Sequence, residues 1–165
     1  MRAVTPRSLR ALGVALAVIV CATTAAAQAP DPAHGTWKLN LEQSKFDPGP
    51  APKSATVTID AVSPIVRRVS FEGVGPDGTA VKWGYSGNVD GKDIPITGTN
   101  PDAETVSIKR ISRRVIETTF KRGGKVTMVN TSTVSPNDSR ILTVVSTGTN
   151  ASGQKVSNTQ VFNKQ

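Results

Sequence analysis

Apolar and polar residues alternate along most of the chain. Trp37, Leu39 and Leu41 are separated by Lys38 and Asn40, and Val57, Ile59 and Ala61 by Thr58 and Asp60. Val69 and Phe71 continue the pattern, and Val81, Trp83 and Tyr85 are separated by Lys82 and Gly84. A period of two sends successive side chains to opposite faces of a strand, so the apolar set of each run defines an inward face. No segment keeps a helical period. Turn formers interrupt the runs at Ser63-Pro64, Gly75-Pro76-Asp77-Gly78, Asp90-Gly91, Asn100-Pro101-Asp102, Gly123-Gly124, Pro136-Asn137-Asp138 and Ala151-Ser152-Gly153. The pattern predicts ten strands, at 36–41, 54–62, 65–73, 79–87, 93–97, 104–110, 114–121, 125–135, 140–148 and 155–163. Short connections favour an antiparallel up-and-down meander, and closure is the simplest way to remove exposed edges. The expected fold is therefore all-β, a barrel of about 8–10 strands, with a β-sandwich as the alternative. An outer-membrane barrel would carry its apolar band outside, the reverse of this pattern.

Composition supports strands. Beyond residue 27 the chain holds 16 Val, 8 Ile and 16 Thr but three Leu, and side chains branched at the β carbon fit a pleated surface better than a helix. Residues 1–27 read as a secretory signal. Arg2, Arg7 and Arg10 make a basic start, Leu12 to Val20 an apolar core, and Ala25-Ala26-Ala27 a cleavage site. Val18-Ile19-Val20 before Cys21 does not suit lipidation, and the apolar stretch is short for a membrane anchor. The expected organisation is a signal at 1–27, a polar leader at 28–35 and one domain at 36–165, with secreted or periplasmic localisation and no stable membrane insertion after signal removal. Seventeen cations against twelve acids would leave a mature charge of +5. Cys21, the only cysteine, would leave with the signal, which excludes thiol chemistry, and a single histidine, His34, excludes histidine clusters for a metal. No cofactor or metal is expected.

Residues 42–53 form the one long break between strands. Asp47-Pro48-Gly49-Pro50-Ala51-Pro52 cannot be helical, because prolines lack the N–H donor and fix φ, so a stiff connector over one barrel end is expected. Gly73-Val74-Gly75-Pro76-Asp77-Gly78 fits a dinucleotide fingerprint, but a strand follows it instead of the helix that phosphates need, so it reads as a hairpin turn. Asp90 with Asp93 and Asp102 with Glu104 sit in or beside turns, where solvated acids are poor candidates for glycoside hydrolysis. Lys109, Arg110, Arg113 and Arg114 form one basic group and Lys121, Arg122 and Lys125 another. The strand between them, at ~3.3 Å per residue, separates the groups by roughly 23 Å and sends them to opposite ends. A nucleic-acid partner is not expected.

Gly35-Thr36-Trp37-Lys38-Leu39 resembles the Gly-x-Trp opening of the calycins, the superfamily of lipocalins and intracellular fatty-acid-binding proteins. Thr159-Gln160-Val161-Phe162-Asn163-Lys164 is similar to the last strand of the fatty-acid-binding group. The resemblance implies an up-and-down barrel around a small-molecule cavity, with Trp37 as a structural plug. Two departures stand out. The Arg-x-Tyr clamp for a ligand carboxylate is replaced by Gln160 and Phe162, and the two-helix lid by the Pro-rich connector. The opening followed by Ser44-Lys45-Phe46 also resembles short secreted bacterial proteins of no established activity.

The expected function is non-catalytic binding of a small, partly apolar ligand. Candidate lining residues at inward positions are Phe71, Trp83, Tyr85, Ile108, Phe120, Met128, Gln160 and Phe162. The connector and the turns after alternate strands share one end, where Lys53, Lys121, Arg122, Lys125 and Lys155 would ring a mouth. Such a ring would attract an anionic ligand or membrane surface in a salt-sensitive way. Without the clamp, the ligand is expected to be neutral, or an anion held at the rim by Arg122 or Lys125. The alternative function is a cell-envelope interaction or inhibitor module docking through Asp47 to Pro52. The sequence names no protein partner.

Overall fold

The structure, a computed structural model, describes residues 30–165; the expected signal segment with Cys21 lies outside the described residues. Eleven strands and no helix occur among the described residues. They are β1 (Gly35–Lys45), β2 (Ser54–Ala61), β3 (Val66–Val74), β4 (Ala80–Asn88), β5 (Asp90–Pro95), β6 (Thr97–Gly98), β7 (Thr105–Arg110), β8 (Val115–Arg122), β9 (Lys125–Val134), β10 (Ile141–Thr149) and β11 (Lys155–Lys164). One antiparallel sheet contains them all, in the order β5-β7-β8-β9-β10-β11-β1-β2-β3-β4-β6. The expected all-β meander closed into a barrel is the fold observed.

Closure depends on one segment. β5 lies on β7, and Ile96 N–H still donates to Glu104 O on that side at 2.9 Å. The chain then crosses, so that β6 pairs with β4 through Trp83 opposite Gly98, and Thr99 N–H donates to Lys82 O at 2.9 Å. The expected strand 93–97 is thus two strands bridging the two edges of the sheet. Gly87 gives Ile94 room at this seam, since a β carbon there would sit 2.6 Å from the Ile94 Cγ2. Side-chain packing therefore continues where the backbone ladder pauses.

The connector expected at 42–53 is shorter, because β1 continues to Lys45. After Asn40 its register against β11 shifts through a bulge. Side chains replace the ladder there: Ser44 Oγ donates to Asn40 O at 2.6 Å and accepts from Val161 N–H at 2.9 Å. The bulge breaks the period of two, so Leu41, expected inside, is 43% exposed. Trp37 and Leu39, before the bulge, are buried as expected.

Alternate loops gather at the two barrel ends. The segment 30–34, the loops 62–65, 111–114 and 135–140 and the C-terminus close one end. Trp37, fully buried, seals that floor, and its Nε1–H donates to Ala33 O at 2.8 Å. The leader read as merely polar is thus partly inside, with Ala33 buried, while His34 stays exposed. The connector 46–53 and the loops 75–79, 99–104, 123–124 and 150–154 share the other end. Gly73 to Gly78 is a hairpin turn as expected, with Gly78 at φ +92° and its N–H donating to Gly75 O at 3.0 Å.

Candidate ligand-binding cavity

A cavity of about 330 Å³ runs into the barrel from the end bearing the connector. Pro52, Ser54, Gly75, Asn100, Pro101 and Asp102 line its outer part. Loop-to-loop bonds hold this mouth in shape. Ala151 N–H donates to Asp102 Oδ1 at 2.7 Å, Arg122 Nη2 donates to Pro101 O at 2.6 Å, and Ser157 N–H donates to Asp47 O at 2.7 Å.

One wall is aromatic because the register brings large rings together. Phe71 and Trp83 are direct partners across β3 and β4, and their rings stack at 4.9 Å and 14°. Tyr85 continues the ladder at 6.2 Å and 19° from Trp83, and Phe120 of β8 meets Trp83 edge-on at 5.7 Å and 86°. Stacked and edge-to-face arrangements both suit ring quadrupoles. Of the residues expected to line a site, Phe71, Trp83, Tyr85, Phe120, Met128, Gln160 and Phe162 all border this cavity. Ile108 does not: it is fully buried in the hydrophobic core.

The facing wall is mixed, with Met128, Leu142, Val144 and Phe162 among polar side chains that sequence reasoning largely missed. Asn130, Ser132 and Ser146 point inward from β9 and β10 beside Gln160 of β11. Arg67 of β3 lines the inner part of the cavity. It occupies the inward parity of Val69 and Phe71, so alternation alone could have found it. A buried arginine needs a partner, and Asp31 of the leader supplies one. Arg67 Nη2 donates to Asp31 Oδ2 at 2.9 Å, with the two side chains 4% and 8% exposed. Arg110 Nη2 reaches the same oxygen at 3.1 Å.

Burial is the largest influence on Asp31 and acts to raise its pKa. The Arg67 charge together with hydrogen bonds from Arg67, Ala33 N–H and Arg110 outweighs it, leaving the pKa below the usual 3.8. Tyr85 shifts the other way. Burial pushes its hydroxyl above 10.0, opposed by a hydrogen bond with Thr118 and by the Arg67 charge, so the phenol stays neutral. Among the described residues two buried side-chain polar atoms have no hydrogen-bond partner, Arg67 Nε and Asn130 Oδ1, and both residues line the cavity.

The five cations expected at the rim lie at the mouth end, but three have company. Lys121 pairs with Asp93 at 2.6 Å, Arg122 lies 3.9 Å from Glu104 and braces Pro101, and the Lys53 charge acts on Asp77. Lys125 and Lys155 are exposed. None of the five lines the cavity itself. Among the described residues no group of three or more His, Cys, Asp or Glu could hold a metal ion, and no helix is long and apolar enough to cross a membrane.

No protein-family model matches the chain, and no curated protein matches it. Among solved structures it is similar to the wild-type fluorescent protein UnaG, with 13% identity, 80% of this chain and 96% of that one covered, and a TM-score of 0.52. A redesigned β-barrel matches at 13% identity over 81% of this chain and 92% of its own, with a TM-score of 0.47. A de novo designed fluorescence-activating β-barrel matches at 15% identity over 83% and 100%, with a TM-score of 0.43. At this identity the likeness to UnaG shows the fold alone, an antiparallel β-barrel.

Proposed function

We propose that this protein is a non-catalytic binding protein of the secreted or periplasmic compartment that carries a small, partly apolar molecule in its barrel. The observation that carries the reading is the open cavity of about 330 Å³ with a stacked aromatic wall. Pockets of this size and mixed lining commonly hold small ligands. The signal-like residues 1–27 support export, and the resemblance to short secreted bacterial proteins agrees with it. Docking on a protein through Asp47 to Pro52 has less support, since Asp47 is bonded at both backbone N–H and C=O to β11 and Pro52 lines the mouth.

Native mass spectrometry of freshly purified protein tests the reading. A co-purified small molecule, released when Trp83→Arg puts a charge against the aromatic wall, is the expected result. A bare protein that also fails to enhance the fluorescence of an apolar dye such as anilinonaphthalene sulfonate would overturn it.

A further inference from the structure

The closed end of the barrel carries exposed apolar side chains on its loops. Val62, Ile65 and Ile111 are 54%, 62% and 54% exposed, on the loops 62–65 and 111–114, whereas the other large apolar residues left exposed, Leu41, Val126 and Val145, stand on strands. Buried Asp31 holds the stems of the two loops together. Its Oδ2 accepts from Arg67 Nη2 at 2.9 Å, just beyond Ile65 in the chain, and from Arg110 Nη2 at 3.1 Å, just before Ile111. The turn from β4 to β5 runs between them, with Val89 N–H donating to Ile65 O at 2.9 Å and Asp90 facing Lys109. The two tips therefore stand side by side on one rim. Single exposed apolar residues are ordinary, but a group of them at one end marks an interaction surface.

Both tips pair their own backbone. Ser63 Oγ accepts from Ile65 N–H at 3.3 Å and from Val66 N–H at 3.1 Å, and Ser112 Oγ accepts from Arg114 N–H at 3.2 Å. Ile111 N–H and Ser112 N–H donate to Val115 O at 3.0 and 3.1 Å. Backbone that is already paired can leave water at little cost. Charge then selects the partner. Asp31 is offset by Arg67 and Arg110, Asp90 by Lys92 and Asp138 by Arg140, while Asp60 and Glu117 face Arg68 and Lys109 across their ladders. Arg113 and Arg114, on the same tip as Ile111, form no ion pair among the described residues. Their guanidinium groups donate only to the carbonyls of Pro30 at 3.4 Å and Ser135 at 2.9 Å, so both charges stay unmatched.

We propose that this end of the barrel docks on an anionic phospholipid bilayer. Val62, Ile65 and Ile111 enter the headgroup region, and Arg113 and Arg114 pair with lipid phosphates. A fluid bilayer closes around separate protruding tips, whereas a hydrated polyanion offers apolar side chains nothing to enter. Docked in this way, the barrel holds the open end of its cavity away from the lipid. The basic group at 109–114, which has no part in the cavity's mouth, thereby acquires a role, and membrane attraction moves from the mouth, where Lys121 and Arg122 lie beside acids, to the opposite end.

The test uses the full chain with Cys21→Ser, carrying an environment-sensitive nitrobenzoxadiazole label at either Val62→Cys or Val126→Cys. It is titrated with phosphatidylcholine vesicles that contain no phosphatidylglycerol or about one third of it. The label at 62 should shift to the blue on the anionic vesicles, with an affinity at least about tenfold above that for neutral ones and reduced in ~0.5 M salt, while the label at 126 stays unchanged. Arg113→Gln should weaken binding about fivefold, and Ile65→Ser with Ile111→Ser about tenfold, at an unchanged urea midpoint because these side chains are exposed. Ile111→Trp, which adds apolar surface to the tip, should tighten it. A response at 126 instead of 62, abolished by Lys125→Gln with Lys155→Gln, puts the mouth on the bilayer and overturns the proposal. So does a response at neither position, equal binding to neutral vesicles, or an equal response to duplex DNA in place of vesicles. None of these outcomes bears on whether the cavity holds a ligand.

Discussion

Asp31 and Arg67 show how far the floor depends on single groups. With the two side chains 8% and 4% exposed, removing Asp31 leaves Arg67 buried without its ion-pair partner, whereas removing Arg67 leaves Asp31 with Arg110 and the Ala33 N–H. Asp31→Ala should cost about 3–5 kcal/mol in urea unfolding, and the double variant Asp31→Ala with Arg67→Met should cost less than the sum of the two single changes. The pH dependence follows from the direction of the shift. The folded pKa lies below 3.8, so the stabilisation by ionised Asp31 is complete above that value and is lost as pH falls through the folded pKa. The urea midpoint of the wild type should therefore drop below pH 3.8 more steeply than that of Asp31→Asn. Tyr85 gives the opposite sign. It is the chain's one tyrosine, and its folded pKa lies above 10.0, so its neutral form stabilises the fold up to that pH and the contribution is lost as pH rises through the folded value. Phenolate absorbance should appear only above pH 10.0 and together with loss of near-ultraviolet circular dichroism. A normal titration in the folded protein would contradict that burial.

At the scale of elements, the seam between β4 and β5–β6 is the place where the barrel is least continuous. β6 has two residues, and Gly98 allows it to approach β4 at φ +81°, with an added β carbon falling 2.5 Å from Lys82 O. Gly98→Val should unclip this segment at a cost of about 2 kcal/mol or more, through both the left-handed backbone and the steric conflict. Hydrogen exchange should then quicken at Thr99 N–H, which donates to Lys82 O, while the β9–β10 ladder stays protected. Uniform loss of protection around the sheet would mean that the seam is not a separate cooperative unit. The same element shows why 93–97 reads as one strand from sequence. Ile94 and Ile96 keep the period of two, whereas the exchange of partner at Ile96 depends on which edge is nearest in space.

For the whole molecule, the interior is a packed floor below an open cavity. Trp37, Leu142 and Phe162 belong to one buried cluster, and Phe71, Trp83 and Met128 are partly buried against it at the cavity wall. Filling the space should oppose binding without weakening the fold. Ser146→Phe, from a buried serine bordering the cavity, should raise the unfolding midpoint or leave it unchanged and reduce dye or ligand affinity by about tenfold. If affinity survives, the ligand lies elsewhere. The mouth cations act at this scale too, through their summed field. With Lys121, Arg122 and Lys53 close to acids, neutralising Lys125 and Lys155 should change anion association by less than about threefold at physiological salt.

Alternation, β-branched composition and regularly spaced turns were enough to determine an antiparallel meander with inward Trp37, Phe71, Trp83 and Tyr85, because strand periodicity and hairpin chemistry are local properties of the chain. The grouping of alternate loops at one end follows from the same counting. Tertiary structure decided three other matters. A bulge after Asn40 turned Leu41 outward, since side-chain bonds from Ser44 replaced ladder bonds to a strand far away in sequence. Partner exchange at β5–β6 closed the barrel. The leader brought Asp31 against Arg67, 36 residues away in the chain, and Arg110, 79 away, and so allowed a charged side chain to remain inside. Nothing local to Arg67 announces that partner. Burial of a charge depends on which opposite charge folding delivers to it, and that is a property of the closed barrel.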